Sequence, residues 1–307
     1  MIVYVSEYIH PVPRKQLEQE VTIVDNFDDI RHIDAILLRR FRVDEAFMQK
    51  AKNLKLVAVH GVGYDMVDLE AAKRHGIAVT NTPQANSDSV AELVTGLVID
   101  LERNILQANT ACHRDLVKSS APAELKGYSI HGKTFGQIAI GNVGSRVGKI
   151  MKNAFGMKVL AYDPYVPDER FAELGFTRVR SLEDLIRNSD VVNVSTCLNE
   201  ETRDLISGEM FDWFKSHAVL VNAARGGIVN EHGLYEALKE GKIKAAACDV
   251  FEQEPPNSQN PLLSLENFIS TPHLGANTEE ATRNMAQMAV DEILRLKRGE
   301  PYLNRVV

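Results

Sequence analysis

No stretch limits the fold of this 307-residue chain as tightly as residues 134–163, which read TFGQIAIGNVGSRVGKIMKNAFGMKVLAYD. An apolar run at residues 138–140 meets glycines at Gly141, Gly144 and Gly148, while Val147, Ile150, Met151 and Phe155 recur at helical spacing. That order predicts strand, tight turn, helix. A second apolar run, residues 158–162, closes on Asp163, nineteen positions beyond Gly144. A dinucleotide-binding βαβ unit has this layout, with glycines at its first turn and a carboxylate about 20 residues on for the adenosine ribose.

The residue types follow from the physics. Glycines let the backbone approach a pyrophosphate without a Cβ in the way, and the free N–H groups and positive dipole of the helix start hold its charge. Asp163 accepts hydrogen bonds from a diol and would repel a 2′-phosphate, which points to NAD rather than NADP. Strict GxGxxG alignment puts Ala139 where the first glycine belongs.

The length suits about two domains at roughly 150 residues each. With 35 basic against 42 acidic residues and no basic block, nucleic acid is not an expected partner. The longest apolar stretch, residues 91–99, is interrupted by Glu92 and Thr95 and is too short to cross a bilayer. The N-terminal MIVYVSEYIH starts like a strand, without a basic region or cleavage site, so a cytoplasmic protein is expected. Cys112, Cys197 and Cys248 lack metal-ligand spacing and are expected to be buried free thiols; no metal is expected.

Residues 2–5, 21–24, 35–38, 56–59 and 77–80 are short apolar runs separated by helix-like segments, the alternation of a parallel sheet covered by helices. Asp44 is a candidate N-cap, and a helix over 67–75 is stopped by Gly76. The loop HGVGYD, residues 60–65, follows a predicted strand. Its backbone N–H groups suit a carboxylate, although a plain turn explains it equally. Arg39, Arg40 and Arg42 end another strand, where they either meet an anionic substrate or are simply solvated.

Ser87 or Ser89 is expected to cap one helix running from Val90 to near His113, striped by Ala91, Val94, Leu97, Val98, Leu101 and Ile105. Six further strands are expected at residues 137–140, 158–162, 191–195, 218–222, 245–249 and 268–270, making a doubly wound sheet. A last helix over 278–298 ends at Gly299, and its tail is expected to pack on the first domain.

Three segments just past strands of this second sheet each carry one polar residue suited to chemistry: Arg225 in VNAARGGIVNE, Glu254 in ACDVFEQEP and His273 in STPHLGANTEEA. Hydride reaching a ketone carbon creates an alkoxide that needs a proton near neutral pH, the natural work of a histidine. A neighbouring carboxylate favours the imidazolium and holds the ring. An arginine grips a substrate carboxylate with a planar pair of donors and polarises the carbonyl. Singly each residue also reads as structural: a capping arginine, a solvated acid, a core histidine. His60 and His232 are outside candidates.

These motifs resemble the NAD-dependent D-isomer-specific 2-hydroxyacid dehydrogenases over nearly the whole chain. HGVGYDMVD is similar to that family's substrate loop, ANSDSVAEL to the start of its interdomain helix, and GNVG with LAYDP to its nucleotide turn and ribose acid. The twenty-nine residues from Arg225 to Glu254 also match its spacing. Met66, Asn230, Ser195 and Cys197 depart from its usual residues. The resemblance implies catalytic roles for Arg225, Glu254 and His273, and substrate carboxylate binding at Gly61, Val62 and Arg225. It implies NAD contacts at Gly141, Asn142, Val143, Gly144, Asp163, Ala223 and Asp249, a homodimer, and cleft closure on ligand binding.

The expected architecture is α/β and two-domain. A Rossmann-type doubly wound parallel sheet occupies residues 98–281, and a smaller flavodoxin-like α/β substrate domain takes residues 1–97 and 282–307. The expected activity is hydride transfer between NAD(H) and a 2-oxo acid/D-2-hydroxy acid pair. Two alternatives stand beside it: an NAD(H)-sensing regulatory protein of the same fold, and a family dehydrogenase acting on formate or phosphite.

Overall fold

The computed structural model describes residues 1–26 and 30–307. Its first elements are β1 (Ile2–Val5), α1 (Pro11–Glu20), β2 (Thr22–Val24), β3 (Ala35–Leu38), α2 (Glu45–Lys50), β4 (Leu56–Val59), α3 (Leu69–His75) and β5 (Ala78–Thr80). Next come α4 (Ser87–Arg103), α5 (Ile105–His113), β6 (Thr134–Ile138), α6 (Asn142–Phe155), β7 (Lys158–Tyr162), α7 (Asp168–Leu174) and β8 (Thr177–Arg178). The chain closes with α8 (Leu182–Asn188), β9 (Val191–Val194), β10 (Val219–Asn222), α9 (Glu231–Lys239), β11 (Ala245–Cys248), β12 (Phe268–Ser270) and α10 (Glu279–Arg298). It divides into two compact units, Met1–Ser89 with Ala276–Val307, and Val90–Gly275.

The first unit is a parallel sheet in the order β2-β1-β3-β4-β5, the flavodoxin-like order. Its central strands β3 and β4 are apolar throughout because both faces are covered. Val3, Val5, Leu37, Leu56 and Ala58 meet Leu17 of α1 and Ala286, Ala289, Val290 and Ile293 of α10. Ile36, Leu38, Val57 and Val59 meet Met48, Ala71 and Ala72 on the other side. Each Leu or Ile buried this fully contributes roughly 1.5–3 kcal/mol. Local signals set the helix ends: Asp44 accepts from the Phe47 amide at 2.9 Å and Asp68 from that of Ala71 at 2.9 Å, while Gly76 turns left-handed at φ 66°. Because Asp68 is the cap, α3 starts two residues later than the pattern predicts. The C-terminal tail does return to this unit, the Val306 amide donating to Val79 O at 2.7 Å.

The second unit is a parallel sheet in the order β12-β11-β10-β9-β6-β7-β8. It has seven strands rather than the six expected; β8 is two residues long and is held by pairing with Leu160 and Ala161 of β7. After β8 the chain returns to lay β9 beside β6, and this reversal is the switch point at which doubly wound sheets take their ligands. The expected single helix over residues 90–113 is broken. Asn104 turns left-handed at φ 54°, which asparagine tolerates, and Asp100 Oδ1 accepts from the Leu106 amide at 2.8 Å to start α5. Neither Ser87 nor Ser89 precedes the helix as a cap, since both lie in its first turn and the Ser87 hydroxyl is buried without a partner.

All three cysteines are free, but only Cys248 is buried. Cys112 lies on α5, none of whose residues is buried, and Cys197 lies in the loop after β9. Glu102 is fully buried and meets Lys133 Nζ at 3.2 Å and Lys244 Nζ at 3.3 Å. Among the described residues no helix is long and apolar enough to cross a membrane.

Candidate active site

Strands β10, β11 and β12 are neighbours, and Asn222, Cys248 and Ser270 at their carboxyl ends stand in register. Arg225, Glu254 and His273 follow within a few residues, so the sheet carries all three segments to one edge. Two of the side chains meet directly: His273 Nδ1 and Glu254 Oε2 are 2.7 Å apart. A carboxylate only accepts, so Nδ1 carries the hydrogen and Nε2 is left for other work. Both side chains are partly open to solvent.

His273 stands at φ 57°, a left-handed conformation that costs a residue with a Cβ about 1–2 kcal/mol. Asp249 holds it there. Asp249 O accepts from the His273 amide at 2.7 Å, while its carboxylate takes the Leu274 amide at 2.6 Å, the Gly275 amide at 2.8 Å and the Thr271 hydroxyl at 2.6 Å. Asp249 is buried and clamps the histidine loop, a positioning part that its place in a motif did not convey. Glu254 Oε1 in turn accepts from the Phe251 amide at 3.2 Å. Arg225 is placed by Asn222, whose Nδ2 donates to Arg225 O at 2.9 Å, and Arg225 Nη1 donates to Ala224 O at 2.7 Å. Ala223 is partly buried against the core between them.

At the glycine turn, β6 ends at Ile138, two residues before the predicted strand end, because Ala139 turns left-handed at φ 64°. Gly141 caps α6 without any side-chain acceptor, so the cap leaves the first-turn amides of Asn142, Val143 and Gly144 to an anion. Gly144 is needed for packing: a Cβ there would lie 2.1 Å from Ala139 O. Asp163, at the end of β7, is oriented by the Ile140 amide at 3.0 Å and the Tyr165 amide at 3.1 Å. Open helix amides and an oriented carboxylate at the switch point fit a dinucleotide. Sequence patterns missed what lies beneath the turn. Gln137 Nε2 donates to Ile138 O at 3.0 Å and Ala139 O at 2.9 Å, and Asn193 Nδ2 donates to Gln137 Oε1 at 2.9 Å and Ser195 Oγ at 3.0 Å. The available signal was a polar residue inside each of two apolar strands.

In the first unit, Gly61 O accepts from the Thr82 amide at 3.0 Å and Val62 O from Asn81 Nδ2 at 2.8 Å, which fixes the loop after β4. A Cβ on Gly61 would meet nothing, so space alone does not require glycine there. Of the three arginines, Arg40 and Arg42 are exposed and Arg39 is half-buried; the Arg39 and Arg40 amides both donate to the Glu7 carboxylate at 2.7 Å. His60 is 2% exposed, and its Nε2 lies 3.3 Å from Thr282 O. Burial, and then the charge of Arg39, lower its pKa to about 4. His232 is exposed at the start of α9.

Residues 95–275 match the family model described as the D-isomer specific 2-hydroxyacid dehydrogenase NAD binding domain. The chain is 42% identical to D-3-phosphoglycerate dehydrogenase of Methanocaldococcus jannaschii over 89% of its own length and 51% of that protein's. It is 39% identical to hydroxypyruvate reductase of Thermotoga maritima, over 87% of this chain and 85% of that one. Its fold superposes on the crystal structure of D-lactate dehydrogenase from Aquifex aeolicus, complexed with NAD and lactic acid, with a TM-score of 0.91 at 26% identity, covering 100% and 99% of the two chains. The chain thus spans about half the length of the D-3-phosphoglycerate dehydrogenases that it matches.

Proposed function

This chain belongs to the D-isomer specific 2-hydroxyacid dehydrogenase family, and we propose that it interconverts a 2-oxo acid and its D-2-hydroxy acid with NAD as cofactor. The observation that carries the reading is the 2.7 Å pairing of His273 with Glu254 on a loop clamped by Asp249. NADH, when bound, supplies the hydride. As the carbonyl becomes an alkoxide, His273 gives it the proton held at Nε2, and in the reverse direction takes it back. Glu254, bonded to Nδ1, fixes the ring and stabilises its positive charge. In the second unit Arg225 is assigned to the substrate carboxylate, and in the first unit the amides of Gly61 and Val62 are assigned to substrate binding.

For the cofactor, the amides of Asn142, Val143 and Gly144 beside Gly141 take the pyrophosphate and Asp163 takes the ribose hydroxyls. Ala223 and Asp249 lie toward the nicotinamide end. The first unit serves the substrate and the second the dinucleotide. We also assign a homodimer, supported by exposed apolar side chains at Ile105, Leu106, Leu116 and Tyr128 of the second unit. A cytoplasmic setting suits three free thiols.

The test follows NADH absorbance with pyruvate, branched-chain, hydroxy-substituted and phosphorylated 2-oxo acids. The expected result is turnover of at least one acid that falls about 10²–10⁴-fold in H273N. Turnover of none, or turnover indifferent to H273N, refutes the proposal.

A further inference from the structure

The edge strand β8 brings two arginines to the end of β7. Thr177 and Arg178 pair in parallel with Leu160 and Ala161, and the Val179 amide carries the ladder one step further by donating to Ala161 O at 2.9 Å. Asp163 lies two residues past Ala161, so Arg180, two residues past Arg178, leaves the sheet beside it. The Arg178 guanidinium is fixed from three sides. It lies over the buried Phe171 ring, 4.6 Å from its centroid, donates through Nη2 to Asp163 O at 3.3 Å, and donates through Nη1 to Asp168 Oδ1 at 2.6 Å. Arg180 reaches the same carboxylate, its Nη2 donating to Oδ1 at 3.0 Å and to Oδ2 at 2.8 Å.

One carboxylate thus holds two guanidinium groups. The hydrogen bond from Arg178, and then that from Arg180, lower the pKa of Asp168, which is therefore charged at neutral pH. Its side chain is 61% exposed, and ion pairs this open to water contribute little to stability. Its location matters more than its contribution to the fold. Dinucleotide sites that accept a 2′-phosphate place an arginine near the position of the ribose acid, because a planar guanidinium meets two phosphate oxygens at once. Here two guanidinium groups stand at that position, and both are turned to a carboxylate of the chain itself.

We propose that Asp168 guards the cofactor site against 2′-phosphorylated dinucleotides, by occupying the two guanidinium groups, Arg178 and Arg180, that a 2′-phosphate would need. The proposal rests on the cofactor reading above and adds a second determinant to it. Asp163 accepts from the ribose hydroxyls and repels a phosphate directly. Asp168 acts through the arginines: a phosphate with a charge of about −2 finds their donors already engaged and their charge partly cancelled. Either carboxylate alone therefore preserves part of the discrimination. Loss of both uncovers a cradle in which Arg178 is already held by Phe171 and by Asp163 O, so little ordering is left for the phosphate to impose.

The experiment titrates NADH and NADPH by fluorescence, at one ionic strength, against the wild type, D163S, D163S/D168N, D163S/D168E and D163S/D168N/R180A. The quantity read is the ratio of the NADPH Kd to the NADH Kd. It should fall at least about tenfold from D163S to D163S/D168N, the effect of about one charge-assisted hydrogen bond gained. It should stay near the D163S value in D163S/D168E, where a carboxylate still engages the arginines, and rise again at least about fivefold when R180A is added. A merely structural loss weakens both dinucleotides alike and leaves the ratio unmoved. A ratio unchanged by D168N, one that falls as far with D168E, a gain indifferent to R180A, or a wild type that binds NADPH as tightly as NADH overturns the proposal and leaves the dehydrogenase reading intact. Binding of neither dinucleotide to the wild type defeats the cofactor reading, and this proposal with it.

Discussion

Lowering the pH from 7.5 to 5 should loosen the first unit through His60. Its ring is 2% exposed, and burial, followed by the charge of Arg39, lowers its pKa from 6.5 to about 4. In the unfolded chain the ring titrates near its ordinary 6.5. Between the two values the unfolded chain binds the extra proton, so the contribution of His60 is complete above pH 6.5 and is lost as the pH falls toward 4. One pKa unit is worth about 1.4 kcal/mol, so the loss is about 2 kcal/mol at pH 5 and about 3 kcal/mol below pH 4.

The only tryptophan, Trp213, lies in the second unit, so fluorescence would report the wrong transition. Native-state hydrogen exchange of the β4 amides, measured by mass spectrometry and corrected for intrinsic rates, reads the opening of the first unit itself. The comparison is with H60L. Carboxylates and the other histidines titrate alike in both proteins, so their effects cancel in the difference. Between pH 7.5 and 5 the gap in opening free energy should change by about 2 kcal/mol, roughly thirtyfold in protection. A gap constant to within about 0.5 kcal/mol would refute the view that burial keeps this ring neutral.

Other substitutions test the second unit. D163S removes the acceptor assigned to the ribose hydroxyls, so NADH should bind about ten- to a hundredfold more weakly and its advantage over NADPH should narrow, as read by fluorescence titration. E102A leaves Lys133 and Lys244 without their buried partner and should cost about 3–5 kcal/mol, visible as a lower urea midpoint by Trp213 fluorescence. A139G relieves a left-handed alanine worth about 1–2 kcal/mol but loosens the unfolded chain by about 0.4–1 kcal/mol, for a net gain of about 0.5–1 kcal/mol in the same assay.

The elements that could be read from the chain are those whose cause is local. Asp44, Thr278, Gly76 and Gly299 each end a helix by their own side chain or lack of one, and the β-branched runs announce strands buried on both faces. The elements that could not be read are held by distant partners. Nothing in Thr177 and Arg178 marks a strand until Leu160 and Ala161 lie beside them, and the break at Asn104 is set by Asp100 together with the segment at Gly127 and Tyr128, whose amide donates to Glu102 O at 2.7 Å. The site divides in the same way. Arg225, Glu254 and His273 could be named because parallel strands deliver consecutive loop segments to one edge, whereas the clamp by Asp249 depends on a carboxylate reaching three amino acids twenty-odd positions away.

The nucleotide turn shows why residues that break a pattern need to be taken together. An alanine where a glycine fits, a glutamine inside β6 and an asparagine inside β9 look like three separate irregularities. Gln137 donates to the carbonyls of Ile138 and Ala139 at the left-handed bend, and Asn193 reaches across from the next strand to hold Gln137 in place. A glycine would make the bend without support. Here paired amides buried at 0% exposure hold an alanine in it, and so keep the amides of α6 directed at the phosphate site without the first glycine.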